Sequence, residues 1–355
     1  MIGELFRARA AELQRGGRSR LYVELMREAA DDADAGGIVA AIFAGDPATP
    51  ASVPELRLLA ALHHLVLSGG APELARYFPS AGGDAPPQDA WAVARRTLAE
   101  HEAFIRERAR RTVQTNEPGR CVALYGGLLW LSERHRLPIR LLEIGASAGL
   151  NLNPDRFAYV VDGAPLGDAR SPLAFDEPWT GAPVTDPPAA AARLRIVERA
   201  GCDQAPIDPT SVDGRLELQS YIWPDEPARL ARVELAASIA ARHPVAIERR
   251  GAAAWLLRRL GAPRADVVTV IWQSVVDQYL EDAERAAIRS AFASAGGGPL
   301  AWLTLEPPAA ASEDGSFELR CHERPEGNGS GESRLLARAG YHGPPVVWAV
   351  ASPDA

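Results

Sequence analysis

Between residues 143 and 151 the chain reads Glu143-Ile144-Gly145-Ala146-Ser147-Ala148-Gly149-Leu150-Asn151. Two glycines with only alanine and serine between them let the backbone come close to a ligand, and the amides of such a turn can donate hydrogen bonds. Glu143 stands two residues before the first glycine, Ser147 offers a hydroxyl and Asn151 an amide. Further on, Gly201-Cys202-Asp203-Gln204-Ala205-Pro206 sets a carboxylate just past an apolar run. An ionised carboxylate only accepts, through two oxygens, so Asp203 suits a pair of donors. Gln273, Ser274 and Asp277 follow another apolar run, and Asn116, Glu117 and Arg120 fall in a short polar break before one.

Two chemistries fit the loop. The spacing Glu143-x-Gly145-x-x-x-Gly149 resembles the first motif of S-adenosylmethionine-dependent methyltransferases, with Ser147 where many of those enzymes carry a middle glycine. The segment from Gly201 to Pro206 resembles the G-x-D-x-x-P that closes their second strand, which implies that Asp203 accepts hydrogen bonds from both ribose hydroxyls. Asp203 lies further from the loop than the roughly 20 residues usual in dinucleotide folds, and an insertion at 157–192 accounts for the excess. Asp162 is better spaced, but Pro154 leaves too little room for a crossover helix ahead of it. The second chemistry is nucleophilic. Gly145 to Gly149 also spells G-x-S-x-G, and Asp277 followed by His322 or His342 would complete the Ser–Asp–His order of an α/β hydrolase. That fold needs strands and an oxyanion loop ahead of its elbow, and residues 1–138 offer neither, so the cofactor reading is preferred. A glycine turn that merely packs tightly is the plain structural alternative.

Residues 1–136 read as helices separated by turns, with no strand. Ser52 and Glu55 form a capping-box pattern ahead of Leu56, Leu59, Leu62 and Val66. Trp91, Ala94, Leu98 and Ile105 make one apolar stripe with His101, which reads as an interior residue, as do His63 and His64. Arg106, Arg108, Arg110 and Arg111 read as a solvated helix face. From 139 the pattern changes. Residues 139–144 form a short run ending in glycine, with the look of a buried parallel strand. Strands at 195–202, 245–248, 267–272 and 300–305 alternate with helices at 227–242, 252–260 and 281–295. Residues 317–322 and 346–350 are expected to pair as an antiparallel hairpin across the Gly-rich 325–331. This rhythm predicts an α/β fold: a doubly wound, mainly parallel, Rossmann-type sheet over 137–355, preceded by an all-helical domain or lid over 1–136.

Composition narrows the function. None of the 38 basic side chains is a lysine, which excludes a Schiff-base lysine for pyridoxal phosphate and a phosphate-loop lysine for a kinase or ATPase. The net charge of −8 argues against a nucleic-acid partner held by its phosphates. Cys121, Cys202 and Cys321 have no CxxC or zinc spacing, and no His/Asp/Glu cluster has metal spacing, so no metal is expected. No signal-peptide stretch and no membrane-length apolar run are present, and a cytoplasmic location without membrane partners is expected.

Taken together, the motifs are similar to a bacterial family catalogued as a domain of unknown function, family 2332. The segments that carry the likeness are 114–120, 142–152 and 155–157, then 201–208, Trp223-Pro224-Asp225 with Arg229, and 274–280. The likeness spans nearly the whole chain and implies a methyltransferase-like fold. Two departures stand out against methyltransferase-like proteins. Arg250-Gly251-Ala252-Ala253 lacks the acid that would read an adenine amino group, and Gln273 stands where a histidine is expected. Glutamine orients by hydrogen bonding but is no base near neutral pH. Asn116 as a helix cap, Glu117 at its dipole and Arg120 in its first turn are plain structural roles. The family likeness tips all three towards substrate binding, with Asp155 at the loop mouth. The leading expectation is an S-adenosylmethionine-dependent methyltransferase of a small molecule. The cofactor would lie across Glu143, Gly145, Ser147, Gly149, Asn151 and Asp203, and Gln273, Ser274 and Asp277 would face the transferred group. A non-catalytic cofactor-binding protein on the same fold is second, and a serine hydrolase using Ser147 third.

Overall fold

The computed structural model describes residues 2–262, 264–308, 315–324 and 333–349. The chain divides into two compact units, one of Met1–Thr115 with Pro209–Glu234 and one of Asn116–Asp208 with Leu235–Ala355. From sequence the boundary is expected at 136. The observed division falls at 115, and 209–234 returns to the first unit.

The first unit is helical among its described residues. Ile2–Arg15, Arg20–Asp34, Pro54–Leu67, Ala90–Glu100, Glu102–Ala109 and Val212–Ser220 are its longer helices. Their apolar stripes meet in one core that runs from Phe6 and Leu25 through Leu58, Phe78 and Leu98 to Trp223. Ser52 does not box with Glu55. It exchanges hydrogen bonds with Thr49 instead, and the following helix starts at Pro54, whose missing N–H costs nothing in a first turn. His63 and His64 are interior, as expected. His63 lies between the Ser220 carbonyl (3.2 Å) and the Ser80 hydroxyl (2.8 Å). His64 Nδ1 is 2.7 Å from Arg108, which also pairs with Glu217. Arg108 is therefore buried rather than part of a solvated face, because Glu217 from the returning segment neutralises it there.

The second unit is a mixed α/β assembly. Its strands are β1 (Ile139–Ile144), β2 (Ala158–Val161), β3 (Ala164–Gly167), β4 (Ala174–Asp176), β5 (Trp179–Thr180), β6 (Ile196–Asp203), β7 (Ile247–Arg249), β8 (Val268–Ser274), β9 (Leu300–Glu306), β10 (Phe317–Glu323), β11 (Ser333–Gly340) and β12 (Gly343–Trp348). Nine of them form one sheet in the order β5-β12-β11-β10-β9-β8-β1-β6-β7. From β7 to β9 all neighbours are parallel, and from β9 to β12 all are antiparallel. β1 and β8 are buried at every residue, as central parallel strands must be when both faces are covered. Chain order and strand order reverse at the β1–β8 pair, because β6 and β7 add on one side and β8 and β9 on the other.

The C-terminal pairing differs from expectation. β10 pairs with β11, and the expected partner, now β12, lies one strand further out beside β11. The Gly-rich 325–331 and Val350 lie outside the described residues. The inserted segment builds a small sheet, β3-β2-β4, and sends β5 to the edge of the large one. Its rings pack on the helix Cys121–His135, Tyr159 stacking on Tyr125 at 4.2 Å and Trp179 Nε1 donating to the Val122 carbonyl. The same helix lies close on the sheet because Gly126 has no side chain, for a Cβ there would enter the ring of Trp348. Among the described residues no helix is long and apolar enough to cross a membrane.

Candidate functional site

The glycine loop leaves the end of β1 at the switch in strand order, where open α/β sheets bind ligands. Gly145 (φ +68°) and Gly149 (φ +70°) take left-handed backbone, and so does Ser147 (φ +51°). Asp203, at the end of neighbouring β6, holds the turn shut. Its Oδ2 accepts from Ser147 N (2.9 Å) and its Oδ1 from Ala205 N (2.8 Å). Ala146 N donates to the Cys202 carbonyl, so loop and strand end are stapled twice. No α-helix opens directly after the loop. Leu150–Leu152 and Pro154–Arg156 are single 3₁₀ turns, the second begun by a proline, and the chain then runs straight into β2.

The exit of β8 faces this loop. Ile144 pairs with Gln273 in register, and Val276 packs so closely on Gly145 that a side chain there would collide with it. Val275 also has left-handed backbone (φ +56°), which a β-branched residue rarely adopts. Glu306, the last residue of β9, organises the exit. Its Oε1 accepts from Gln273 Nε2 (2.9 Å), Val276 N (2.9 Å) and Asp277 N (3.2 Å).

The segment before Cys121–His135 closes in from the third side. Asn116 Oδ1 accepts from Leu150 N at 3.0 Å, tying itself to the glycine loop. Glu117 caps the turn at Gly119, and buried Arg120 reaches the Ser274 and Tyr341 carbonyls. Asn151 is buried beside Cys121, whose Sγ lies 3.2 Å from its Oδ1.

Several polar atoms here are buried without a hydrogen-bond partner: Glu143 Oε2, Ser147 Oγ, Gln273 Oε1 and Glu306 Oε2. Each costs about 1–3 kcal/mol of desolvation, and four at one strand-end cluster mark a place where a ligand can repay it. Burial pushes the Glu143 carboxyl well above the usual carboxylate range, opposed by the Asn151 amide and the Arg120 guanidinium and reinforced by Asp203. Burial also raises Glu306, against the hydrogen bonds it accepts from Val276, Gln273 and Asp277.

The structure thus gathers Asn116, Arg120, Glu143, Gly145, Ser147, Gly149, Asn151, Asp203, Gln273 and Ser274 around one strand-end cluster. Two expected residues stand apart. Asp155 is engaged by Arg199 at 2.7 Å, and Arg199 pairs with Leu141, three residues below the end of β1, so Asp155 is drawn away from the loop mouth. The Asp277 carboxylate is half exposed and turns towards Arg285 at 3.9 Å. The hydrolase arrangement is not assembled. His322 is linked in register through Trp302 and Ile271 to Leu142, three strand spacings or about 14 Å from β1. His342 lies in the turn before β12, and Ser147 Oγ has no hydrogen-bond partner. Glu306 was not anticipated. Its only trace in the sequence is an acid closing an apolar run ahead of Pro307-Pro308. A carboxylate also stands near Gly251 after all. Glu284, from the next helix, accepts from Ala253 N at 2.9 Å.

A mixed sheet with a glycine loop at its strand-order switch defines an α/β protein whose candidate site lies at the strand ends. The chain belongs to the family described as uncharacterised protein conserved in bacteria (DUF2332), whose model matches residues 4–348. Nothing among the curated proteins or the solved structures matches it.

Proposed function

We propose that this chain is an S-adenosylmethionine-dependent methyltransferase of a small molecule, with the cofactor lying across 143–151. The observation that carries the reading is the meeting of the acid–glycine loop and Asp203 at the carboxyl ends of adjacent parallel strands, beside the switch in strand order. The parallel strands, numbered among themselves, run 3-2-1-4-5, the order of a doubly wound nucleotide fold.

The chemistry of the donor set fits this cofactor better than a dinucleotide. S-adenosylmethionine bears an ammonium, a carboxylate and ribose hydroxyls but no phosphate. A diphosphate wants the N-terminus of a long helix, and only a 3₁₀ turn follows the loop. In this reading the unpartnered Glu143 Oε2 accepts from the ammonium, whose charge favours the ionised carboxylate against its burial, and Ser147 Oγ donates to the carboxylate. A carboxylate has about four acceptor sites, so two backbone amides do not exhaust Asp203. When bound, the cofactor supplies a methyl group on a positively charged sulfur. Gln273 and Ser274 orient the acceptor, and buried Glu306, rather than half-exposed Asp277, is the group to hold its proton. Positioning does most of the work in such a transfer.

Calorimetric titration with S-adenosylmethionine and S-adenosylhomocysteine tests the reading on wild type, Asp203→Asn and Glu143→Gln. Saturable binding, weakened at least about tenfold (~1.4 kcal/mol) in each variant, is expected. No binding to wild type at millimolar ligand sinks it. One observation favours the non-catalytic alternative: the Gln273 amide is already committed to Glu306. Tight binding without turnover across an acceptor screen would select that alternative.

A further inference from the structure

We propose that a second site in the same unit, independent of the glycine loop, binds the phosphate group of a small molecule. A cavity of about 360 Å³ opens between the β3–β4 loop and the end of the helix Pro227–Arg242. Arg156, Arg170, Arg242, His243, Asp168 and Ser171 contribute to its wall. Three arginines and one aspartate line it, so leaving His243 aside the lining is doubly positive. A phosphate monoester carries about −1.5 to −2 at neutral pH and matches it. Arginine forks grip phosphate oxygens bidentately, where a lysine would act only as a point charge.

The basic groups are not spent on each other's neighbours. Arg242 has no ion pair or side-chain hydrogen bond among the described residues. Arg156 Nε is buried without a hydrogen-bond acceptor. Asp155 is 3.8 Å from it and is held by Arg199 at 2.7 Å. Asp168 turns inward on its own loop, accepting from Arg170 N at 3.0 Å, while its Oδ1 stands 3.9 Å from Arg170 Nε. A helix C-terminus usually repels anions. Here Asn153 Nδ2 donates to the His243 carbonyl at 3.1 Å and blunts that pole.

The test is calorimetric titration with inorganic phosphate and with succinate at low ionic strength, on wild type, Arg156→Gln and Arg242→Gln. Unfolding temperatures serve as the folding control. Arg170→Gln, whose side chain is 94% exposed, replaces either variant that fails to fold. Saturable phosphate uptake by wild type, at least tenfold weaker in the variants, is the expected result. No saturable uptake, or equal uptake by all proteins, overturns the site. Succinate binding more tightly than phosphate overturns the phosphate assignment.

Discussion

Ser147 follows β1 and Val275 follows β8, the two strands at the strand-order switch, and both hold backbone that L-residues resist. Such positions cost about 1–3 kcal/mol each and survive where the surroundings over-determine them. At Ser147 the surroundings are visible: Asp203 takes its N–H, and its carbonyl accepts from Ile207 N. Ser147→Gly is expected to leave the unfolding temperature unchanged or higher, because glycine accepts this φ and removes an orphaned hydroxyl. Ser147→Val is expected to lower it by several degrees, and equal melting of both variants would refute the strain argument. Ser147 is also expected to stay unlabelled by a fluorophosphonate probe, with labelling read by mass spectrometry, since no histidine takes its proton. At this scale the sequence was partly legible. The loop and Asp203 announced themselves because their types and spacing are constrained by backbone approach. Glu306 did not, because its role depends on the β8 exit folding back beside it, a relation between strands that no spacing records.

Among the elements, β1 and β8 were readable because strands covered on both faces must be apolar throughout or nearly so. β11 was not. Between Ser333 and Gly340 the run Arg334-Leu335-Leu336-Ala337-Arg338-Ala339 consists of helix formers, and its pairing between β10 and β12 makes it extended. The chain from 150 to 157 departs from the usual case, in which a glycine loop opens a helix. Asn153 and Pro154 break it into 3₁₀ turns, and the Asp155–Arg199 pair fixes the descending chain against β6. Both partners are mostly buried, so Arg199→Met should destabilise the protein by about 3 kcal/mol, read by denaturant unfolding. A change below about 0.5 kcal/mol would show that the pair does not anchor this segment. In the first unit, the helix Pro54–Leu67 carries two histidines that burial pushes down to about 4 from an ordinary 6.5, with Arg108 adding to the effect at His64. Their folded pKa values lie below the unfolded ones, so the unfolded chain binds the protons between those limits. Stability is full above about pH 6.5 and falls as pH drops towards 4. Glu55, raised by burial, pulls the other way, one group against two. Hydrogen exchange resolved along the chain should show protection of 54–67 falling through that window. Flat protection would count against it.

At the scale of the whole molecule, neither unit is a continuous stretch of chain. The first needs 209–234 for the Ser220 carbonyl on His63, for Glu217 on Arg108 and for Trp223 in its core. Residues 1–115 alone should therefore lack a cooperative melt by circular dichroism, and a version with 209–234 joined by a flexible linker should regain one. A cooperative 1–115 would mean that the returning segment is ornament. Nothing in the sequence signalled this return, for Trp223-Pro224-Asp225 reads locally as an ordinary helix start.

The divided first unit also sets a timetable during synthesis. When Thr115 leaves the ribosome, 93 residues remain before Pro209 follows. At a translation rate of about 5–20 residues per second, that is a wait of roughly 5–20 s. Through that interval the nascent helices carry an unneutralised Arg108 and an unfilled socket for Trp223. Helix formation itself takes about a microsecond, so this pause is where a chaperone would meet the chain.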